Sequence, residues 1–186
     1  MLETILKINI ISYLGIDVDN QFSEIKNKAE VIDKSIGFQN SCFTLPLHIS
    51  LKASFRIDNF SFENIIEEVI NYYLSIQPFK IDIYKLEMYD NIIWIRMCRN
   101  KELDKVHDDL NKILLEKYNI GLHEYDLDYK YHTTLFIDNN SDSIKEAYNL
   151  INKVELSQSI IASKFIIGVS ETGELGSYNV YKMVKK

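Results

Sequence analysis

A short pattern occurs twice in the chain and sets the strongest constraint on its fold. Residues 48–51 and 132–135 each read histidine, any residue, serine or threonine, leucine, and the two histidines, His48 and His132, are 84 residues apart. Each copy lies in a run that is typical of a β-strand. Because the surrounding elements also recur in the same order, the pattern predicts a duplicated structural unit.

Strand alternation places the polar side chains of each copy on one face. Side chains at positions i and i+2 of a strand point the same way. His48 and Ser50 should therefore share one face, and His132 and Thr134 should share another. The residues of the other parity are predicted to turn into the core, and these are Ile49, Leu51, Thr133 and Leu135.

Hydrophobic periodicity predicts the elements of the first half. Residues 5–14 read as a strand, a helix follows, and the first histidine strand runs to about Phe55. Ser61 is a candidate N-cap for the next helix, and residues 79–89 and 92–98 form a predicted hairpin. The buried stripes of the two helices consist of Phe22, Ile25, Ala29, Ile32 and Ile36, and of Ile65, Ile66, Val69, Ile70 and Tyr73.

The second half repeats this order. A helix precedes the second histidine strand, and Ser143 and Glu146 form a predicted capping box for the helix after it. Residues 165–171 and 178–184 form the last predicted hairpin. Each half is therefore helix, histidine strand, helix, hairpin. The helical stripes are Leu103, Val106, Leu110, Ile113 and Leu114, and then Ala147, Tyr148 and Ile151.

These elements predict an α+β fold built from a duplicated module. Its two lobes would be related by a pseudo-twofold axis about a central cleft. We expect one domain over residues 1–186, with approximate halves 1–98 and 99–186 and with strand exchange between the lobes as an open alternative. The two histidine strands would then lie symmetrically about the cleft.

Composition and charge exclude several classes of protein. No stretch reaches the length of a membrane span without a charge, and the N-terminal residues lack a signal-peptide layout. We therefore expect a cytoplasmic, monomeric protein without a membrane partner. Cys42 and Cys98 lie far apart with no CxxC spacing, which argues against a zinc site. The net charge of −6 disfavours binding to long duplex nucleic acid.

Two histidines on one cleft can perform acid–base chemistry without a metal. A neutral imidazole accepts a proton, a protonated one donates to a leaving oxygen, and a pKa of about 6.5 suits both roles. His48 and His132 are therefore the candidate catalytic residues, and we expect no metal and no cofactor. Two histidines across one phosphorus permit in-line displacement at a phosphodiester. Ser50 and Thr134 would then donate hydrogen bonds to its non-bridging oxygens.

The two histidine strands have different side chains two residues after the hydroxyl residue. Lys52 would supply a cation for a phosphate, and Phe136 would offer a stacking face for a nucleobase. Each has a plainer alternative, because most lysines are solvated and most phenylalanines pack in the core.

Three more residues are candidates for binding a substrate. Trp94 and Arg96 share a hairpin face that would line the floor of the cleft, although packing is the alternative for Trp94. Tyr131 belongs to a tyrosine-rich loop that would cover a base. The remaining histidines, His107 and His123, are predicted to lie on the surface.

The paired motifs, in a duplicated α+β chain of this length, resemble the two-histidine (2H) phosphoesterase superfamily. This group includes the LigT-like enzymes, the so-called 2′-5′ RNA ligases and the 2′,3′-cyclic phosphodiesterases. In residue identity the resemblance rests mainly on His48, Ser50, His132 and Thr134. Ser50 stands where many members have threonine. The small number of arginines is a second departure, and it puts in doubt a family substrate that needs a long basic RNA groove.

The resemblance implies metal-independent phosphodiester chemistry with catalytic roles for those four residues. The leading hypothesis is hydrolysis of the 2′,3′-cyclic phosphate of a nucleotide or RNA end to a 2′-phosphate, as in RNA processing. Cleavage of 2′-5′-linked or cyclic signalling oligonucleotides is the alternative, and a non-catalytic nucleotide-binding module is another. Ligation ranks lower. The family favours His132 as the base and His48 as the acid, while pseudo-symmetry alone allows the reverse.

Overall fold

The computed structural model describes residues 9–38, 42–174 and 177–186. The first part of the predicted opening strand, residues 5–8, lies outside the described residues. The strands are β1 (Asn9–Asp17), β2 (His48–Asp58), β3 (Phe79–Tyr89), β4 (Ile92–Met97), β5 (His132–Ile137), β6 (Ser159–Ala162), β7 (Lys164–Ser170) and β8 (Asn179–Lys185). The helices are α1 (Ser23–Ile36), α2 (Asn59–Ser75), α3 (Lys101–Tyr118), α4 (Glu124–Leu127) and α5 (Ser141–Ile151).

These strands form two antiparallel sheets with equivalent strand orders. One sheet has the order β2-β1-β7-β8 and the other has the order β5-β4-β3-β6. Each histidine strand, β2 or β5, therefore lies at the edge of its sheet beside the strand that precedes it in the repeat. This mixed architecture confirms the predicted α+β class.

The two halves of the chain exchange strands, so that each sheet contains strands from both halves. β7 and β8 come from the second half but complete the sheet of β1 and β2, whereas β3 and β4 join β5 and β6. The boundary at residues 98/99 therefore does not separate the two sheets. In these strand orders β4 holds the position that is equivalent to that of β1. The repeated unit therefore begins with a strand and not with a helix.

The helices bring the two histidine strands together. α1 packs against α5 and touches β5, although it precedes β2 in the chain, while α3 packs against β2, although it precedes β5. As a result β2 and β5 contact each other directly. Buried side chains of both sheets form one continuous hydrophobic cluster around them.

Two predicted helix caps are wrong by about one turn. The α2 helix begins at Asn59, and the Asp58 carboxylate accepts a 3.0 Å hydrogen bond from the Ser61 amide. The α5 helix is capped by Asn140, whose side chain accepts from the amide of Ser143 and of the residue before it. In each case an earlier acceptor satisfies the exposed amides, so the predicted serine lies within the first turn.

The short strand β6 had no sequence signal. It has four residues, of which Ile160 and Ala162 are buried, and it pairs with the start of β3. Four residues give too few alternations to distinguish a strand from a loop.

An irregularity in β2 changes which side chains face the cleft. Gly15 pairs with Ser50, but the neighbouring residue of β1, Leu14, pairs with Lys52. β2 therefore contains one extra residue, a β-bulge, which interrupts the alternation of its side chains. Leu51 and Lys52 are consequently both buried, at 0% and 1% exposure.

The same irregularity occurs at the equivalent position of β5. Trp94 pairs with Thr134, and the neighbouring Ile93 pairs with Phe136. Leu135 and Phe136 are both buried. Each bulge comes directly after the hydroxyl residue of its motif, so the position two residues further on turns away from the histidine face.

Within the described ranges, no helix is long and apolar enough to cross a membrane.

Candidate active site

The four residues of the two motifs line a single cavity. His48, Ser50, His132 and Thr134 all border a space of about 170 Å³ at the junction of β2 and β5. The rest of its wall comes mainly from residues 42–47, which precede β2, and from Tyr178. The sequence pattern predicted this convergence, and the packing of α1 against β5 and of α3 against β2 produces it.

Both imidazoles are held in the same way. Nδ1 of His48 lies 2.9 Å from the carbonyl oxygen of Pro46, and Nδ1 of His132 lies 2.5 Å from the carbonyl oxygen of Lys130. A carbonyl oxygen only accepts hydrogen bonds, so each Nδ1 carries a proton and donates it. Nε2 of each neutral ring is then left as the proton acceptor.

An aromatic ring from the neighbouring strand packs on each imidazole. Tyr13 of β1 stacks on His48 with 4.6 Å between ring centroids, and Trp94 of β4 lies 4.4 Å from His132. Tyr13 needs Gly168 of β7, because a Cβ atom there would lie 1.8 Å from its ring. Sequence reasoning did not single out Tyr13 or Gly168, since only the pairing of β1 with β2 and β7 brings them to the site.

The environment favours the neutral form of both histidines. Burial lowers the pKa of His48, against smaller opposing effects from the Pro46 carbonyl and the Asp17 carboxylate. Burial also lowers the pKa of His132, and the positive charges of His48 and Arg96 add to this effect, while the Lys130 carbonyl opposes it. The mutual effect of the two imidazoles means that protonation of one disfavours protonation of the other.

The two hydroxyl residues differ in their partners. Ser50 is half-buried and lies near Tyr129 in the segment before β5, where it lowers the pKa of the tyrosine hydroxyl against the larger raising effect of burial. Thr134 is also half-buried and lies opposite Trp94 in the β4–β5 pair. Tyr129 thus belongs to the site, and the only sequence signal for it was its place in the tyrosine-rich loop.

Lys52 does not present a cation to the phosphate position. Its ammonium group is buried in an ion pair with the Asp126 carboxylate and lies 3.3 Å from the carbonyl oxygen of Gly121. The bulge in β2 turns this side chain toward the segment before β5, which corrects the expectation from simple alternation.

Phe136 and Tyr131 are also placed differently from the prediction. The ring of Phe136 is buried against Phe38 and Phe43, so it cannot serve as a platform for a base. Tyr131 is buried as well, and its hydroxyl donates a 3.0 Å hydrogen bond to Asp104 of α3. Both residues therefore contribute to packing.

Trp94 and Arg96 share a face of β4, as the sequence predicted. Trp94 Nε1 donates to the Glu87 carboxylate at 2.9 Å, and the Arg96 guanidinium donates to the same oxygen at 3.1 Å. These donors, with Lys85, outweigh burial and lower the pKa of Glu87 to about 2. Arg96 pairs with His132 across the strands, so its charge lies beside the catalytic candidate.

The other two histidines have different environments. His107 is buried, not exposed as predicted, because α3 packs its ring against the edge of β2. His123 is exposed, as expected, and its Nδ1 accepts a hydrogen bond from the Tyr125 amide at the start of α4.

A larger groove lies next to the small cavity on the side of His132. It measures about 810 Å³ and shares Ser50 and His132 with the small cavity. Aromatic side chains form much of its wall, namely Tyr13, Tyr89, Trp94, Tyr125 and Tyr129. The ring of Tyr89 is more than half exposed and stacks on Trp94 with an interplanar angle of 6°.

Among the described residues, no group of three or more histidine, cysteine, aspartate or glutamate side chains could hold a metal ion. Cys42 borders the small cavity, and burial raises the pKa of its thiol to about 12. This keeps the thiol protonated and unreactive.

Solved structures with the same architecture include LigT from E. coli. Its apo form matches with a TM-score of 0.62 and 11% identity, covering 95% of this chain and 97% of that chain. Its complex with 3′-AMP gives a TM-score of 0.63 and 12% identity over 95% and 98% of the two chains. The protein TT0787 of Thermus thermophilus matches with a TM-score of 0.58 and 13% identity over 94% and 97%.

Sequence comparison adds no relative, because no protein-family model and no curated protein matches the chain. The structural matches nevertheless extend over nearly the full length of both chains. They include a further protein described as a phosphoesterase, with a TM-score of 0.58 at 10% identity. The protein therefore has the bilobal α+β fold of LigT, the fold that the resemblance to the 2H phosphoesterases predicted.

Proposed function

We propose that this protein is a metal-independent phosphodiesterase that hydrolyses the 2′,3′-cyclic phosphate of a nucleotide or RNA end to a 2′-phosphate. The observation that carries the proposal is the pair of imidazoles on one cavity, each with Nδ1 held by a backbone carbonyl. This leaves two Nε2 atoms, one from each histidine strand, to exchange protons with a bound phosphodiester.

The proposed reaction is a single in-line displacement at phosphorus. Nε2 of neutral His132 accepts a proton from water as the water oxygen bonds to phosphorus. The bond from phosphorus to the 3′-oxygen breaks, and Nε2 of protonated His48 donates its proton to that oxygen. Each histidine ends in the opposite protonation state, and a proton exchange with solvent restores the pair.

The hydroxyl groups of Ser50 and Thr134 would stabilise the charge that develops on the non-bridging oxygens. Ser50 lies near Tyr129, and Thr134 is held in β5 beside Trp94. Arg96 lies close enough to His132 to affect its pKa, so its charge also acts on this side of the cavity. Lys52 has no part in the proposed step.

The different sizes of the cavity and the groove agree with a nucleoside that binds on one side of the phosphate. The cavity of about 170 Å³ suits the phosphate and the attacking water, while the aromatic groove of about 810 Å³ has room for a nucleoside. The matching E. coli protein has been crystallised with 3′-AMP, ATP and NADP+. A nucleotide ligand for this chain agrees with both observations.

We expect Tyr89 to be the exposed platform on which the base stacks. Loss of one base–aromatic stack costs about 1–3 kcal/mol, so Tyr89→Ala should raise KM by about 5- to 150-fold with little change in kcat. Tyr89→Phe should retain the wild-type KM because the ring remains. Trp94 is the only tryptophan, so quenching of its fluorescence by 3′-AMP gives a binding measurement that needs no turnover. Tyr84, exposed on the same strand and outside the groove, is the control, and an equal loss of affinity in Tyr84→Ala would contradict this role.

The pH profile of kcat/KM should be bell-shaped, with its maximum below pH 6.5. One histidine must be neutral and the other protonated, and burial lowers the pKa of both. As pH rises through these lowered values the acid loses its proton, so kcat/KM should fall about tenfold per pH unit on the alkaline side. The bound phosphodiester anion favours the protonated imidazole, so the profile of kcat should be displaced to higher pH. A kcat/KM maximum at pH 8 or above would exclude this pair of groups.

The function is tested by assaying the purified protein against 2′,3′-cyclic nucleotides, 2′-5′ oligoadenylates and cyclic dinucleotides. Hydrolysis of the first class in the presence of EDTA, with a 2′-phosphate as product, is the expected result. Loss of turnover in EDTA that an added divalent ion restores would refute the acid–base pair.

The same panel separates the alternatives. Preferential cleavage of 2′-5′-linked or cyclic oligonucleotides would replace the proposed substrate but keep the mechanism. Binding of 3′-AMP without turnover of any substrate would indicate a nucleotide-binding module.

A further inference from the structure

We propose that Lys52 and Asp126 are positioning residues that fix the orientation of His132 through the segment that contains α4 and leads to β5. The proposal rests on the proposed function only for its kinetic test. Residues 123–130 are called the clamp segment, because they are tied to β2 at one end and hold the imidazole of His132 at the other.

Asp126 is the point at which the clamp segment is tied to β2. Its carboxylate forms the buried ion pair with Lys52 and accepts hydrogen bonds from the Ala53 amide at 2.9 Å and from the His123 amide at 2.8 Å. Burial alone would raise the pKa of this carboxyl group, but these three donors outweigh it and hold the pKa below its usual value. The carboxylate therefore stays ionised and fully hydrogen-bonded.

The ring of His107 forms a second connection between β2 and the clamp segment. Its Nδ1 lies 2.8 Å from the carbonyl oxygen of Leu51, and its Nε2 lies 3.1 Å from the carbonyl oxygen of Asp126. Since β2 is an edge strand, the backbone groups of Leu51 and Ala53 would otherwise be open to solvent or to another chain. The ring of His107 and the carboxylate of Asp126 cover this edge.

The far end of the clamp segment touches both catalytic motifs. The ring of Tyr129 packs on His107 with 4.8 Å between ring centroids, and its hydroxyl lies near enough to Ser50 for the serine to affect its pKa. The next residue, Lys130, supplies the carbonyl oxygen that accepts from Nδ1 of His132 at 2.5 Å. A displacement of Asp126 would therefore reach the serine of one motif and the histidine of the other.

The chemistry of the buried pair supports a geometric role. Two apolar side chains of similar volume often replace a buried ion pair without loss of stability. Such a replacement here would leave the Ala53 and His123 amides without their acceptor. The carboxylate thus fixes where the clamp segment lies, and the ammonium of Lys52 keeps that carboxylate charged in a buried position.

The decisive experiment follows the Nδ1–H proton of His132 by NMR in ¹⁵N-labelled protein. In the wild type, the protons on Nδ1 of His48 and His132 should both be protected from exchange by their carbonyl partners. In Lys52→Met and Asp126→Asn, the His132 signal should shift or be lost, while the His48 signal should remain and serve as the internal reference. Lys117→Met is the matched control, because Lys117 forms an exposed ion pair with Glu68 on α2.

The kinetic readout separates positioning from general destabilisation. The Lys130 carbonyl raises the pKa of His132, so its loss should move only the His132 limb of the kcat/KM profile to lower pH. Misplacement of a reacting group by about 1 Å can cost up to about 100-fold, and we expect kcat to fall toward this limit, with Lys117→Met unchanged. A wild-type protein that is inactive on every substrate would refute the proposed function. The NMR signals would still show whether Lys52 and Asp126 position His132.

Folded Lys52→Met and Asp126→Asn variants with unchanged His132 signals would overturn the proposal. If neither variant folds, amide hydrogen exchange in the wild type takes their place. The Ala53 and His123 amides should then exchange slowly and at similar rates, since one carboxylate accepts from both. Exchange of these two amides as fast as exposed loop amides would show that Asp126 does not hold the clamp segment.

Discussion

Replacing either His48 or His132, the proposed catalytic pair, by alanine should lower kcat by about 10²- to 10⁴-fold on a 2′,3′-cyclic nucleotide, because each variant would lose one proton transfer. The binding of 3′-AMP, followed by Trp94 fluorescence, should change much less than kcat. Ser50→Ala and Thr134→Ala are the matched controls from the same strands, and each should cost less than a histidine because an orienting donor moves no proton. A histidine variant with a kcat within a fewfold of the wild type would remove the acid–base mechanism.

A substrate with a good leaving group distinguishes the two histidines. Such a group departs without protonation, so the general acid becomes dispensable while the base is still needed. His48→Ala should then recover much of its lost rate, and His132→Ala should not. Recovery by His132→Ala alone would reverse the assignment, which the equivalent Nδ1 contacts of the two rings leave open.

Removing the carboxylate of Asp126 should cause the largest loss of stability from a single substitution in the site. Asp126→Ala leaves the buried ammonium of Lys52 unpaired, and breaking a buried ion pair in this way costs about 3–5 kcal/mol. In a chain of this size the loss corresponds to a decrease in Tm of about 6–20 °C. Urea unfolding would measure the same difference from the midpoint.

The matched comparison for this variant is the exposed pair of Lys117 and Glu68. Exposed ion pairs contribute about 0–1 kcal/mol, so Glu68→Ala should have little effect on the midpoint. A loss of stability in Asp126→Ala no greater than that in Glu68→Ala would show that the buried pair is not needed for the fold.

The stability that Asp126 contributes should also depend on pH. Its pKa is lower in the folded protein than in the unfolded chain, so the unfolded state binds more protons as the solution becomes acidic. The contribution is present above the unfolded value of about 3.9 and is lost as pH falls through the lower folded value. The difference in stability between wild type and Asp126→Asn should therefore decrease below about pH 4.

The sequence alone determined the catalytic candidates and the class of fold. The two H-x-[ST]-L patterns, 84 residues apart, located His48, Ser50, His132 and Thr134 because strand alternation is a local property that two residues are enough to express. Hydrophobic periodicity likewise located most of the buried stripes of α1 and α3, because burial on one side of a helix repeats every three or four residues. The buried members are Ile25, Ala29 and Ile32 in α1 and Leu103, Val106, Leu110 and Leu114 in α3. The matching architecture of LigT agrees with this α+β assignment.

Only the tertiary structure decided what surrounds those four residues. The bulges after Ser50 and Thr134 turn Lys52 and Phe136 into buried positions, and a bulge depends on how two strands pair, which neither strand specifies by itself. His107 is buried because α3 packs on an edge strand from the other half of the repeat. The clamp segment, the aromatic rings on the two imidazoles and the exchange of strands between sheets all arise from such long-range contacts. Local residue patterns therefore located the candidate reacting groups, whereas the pairing of distant segments determined their orientation and their pKa.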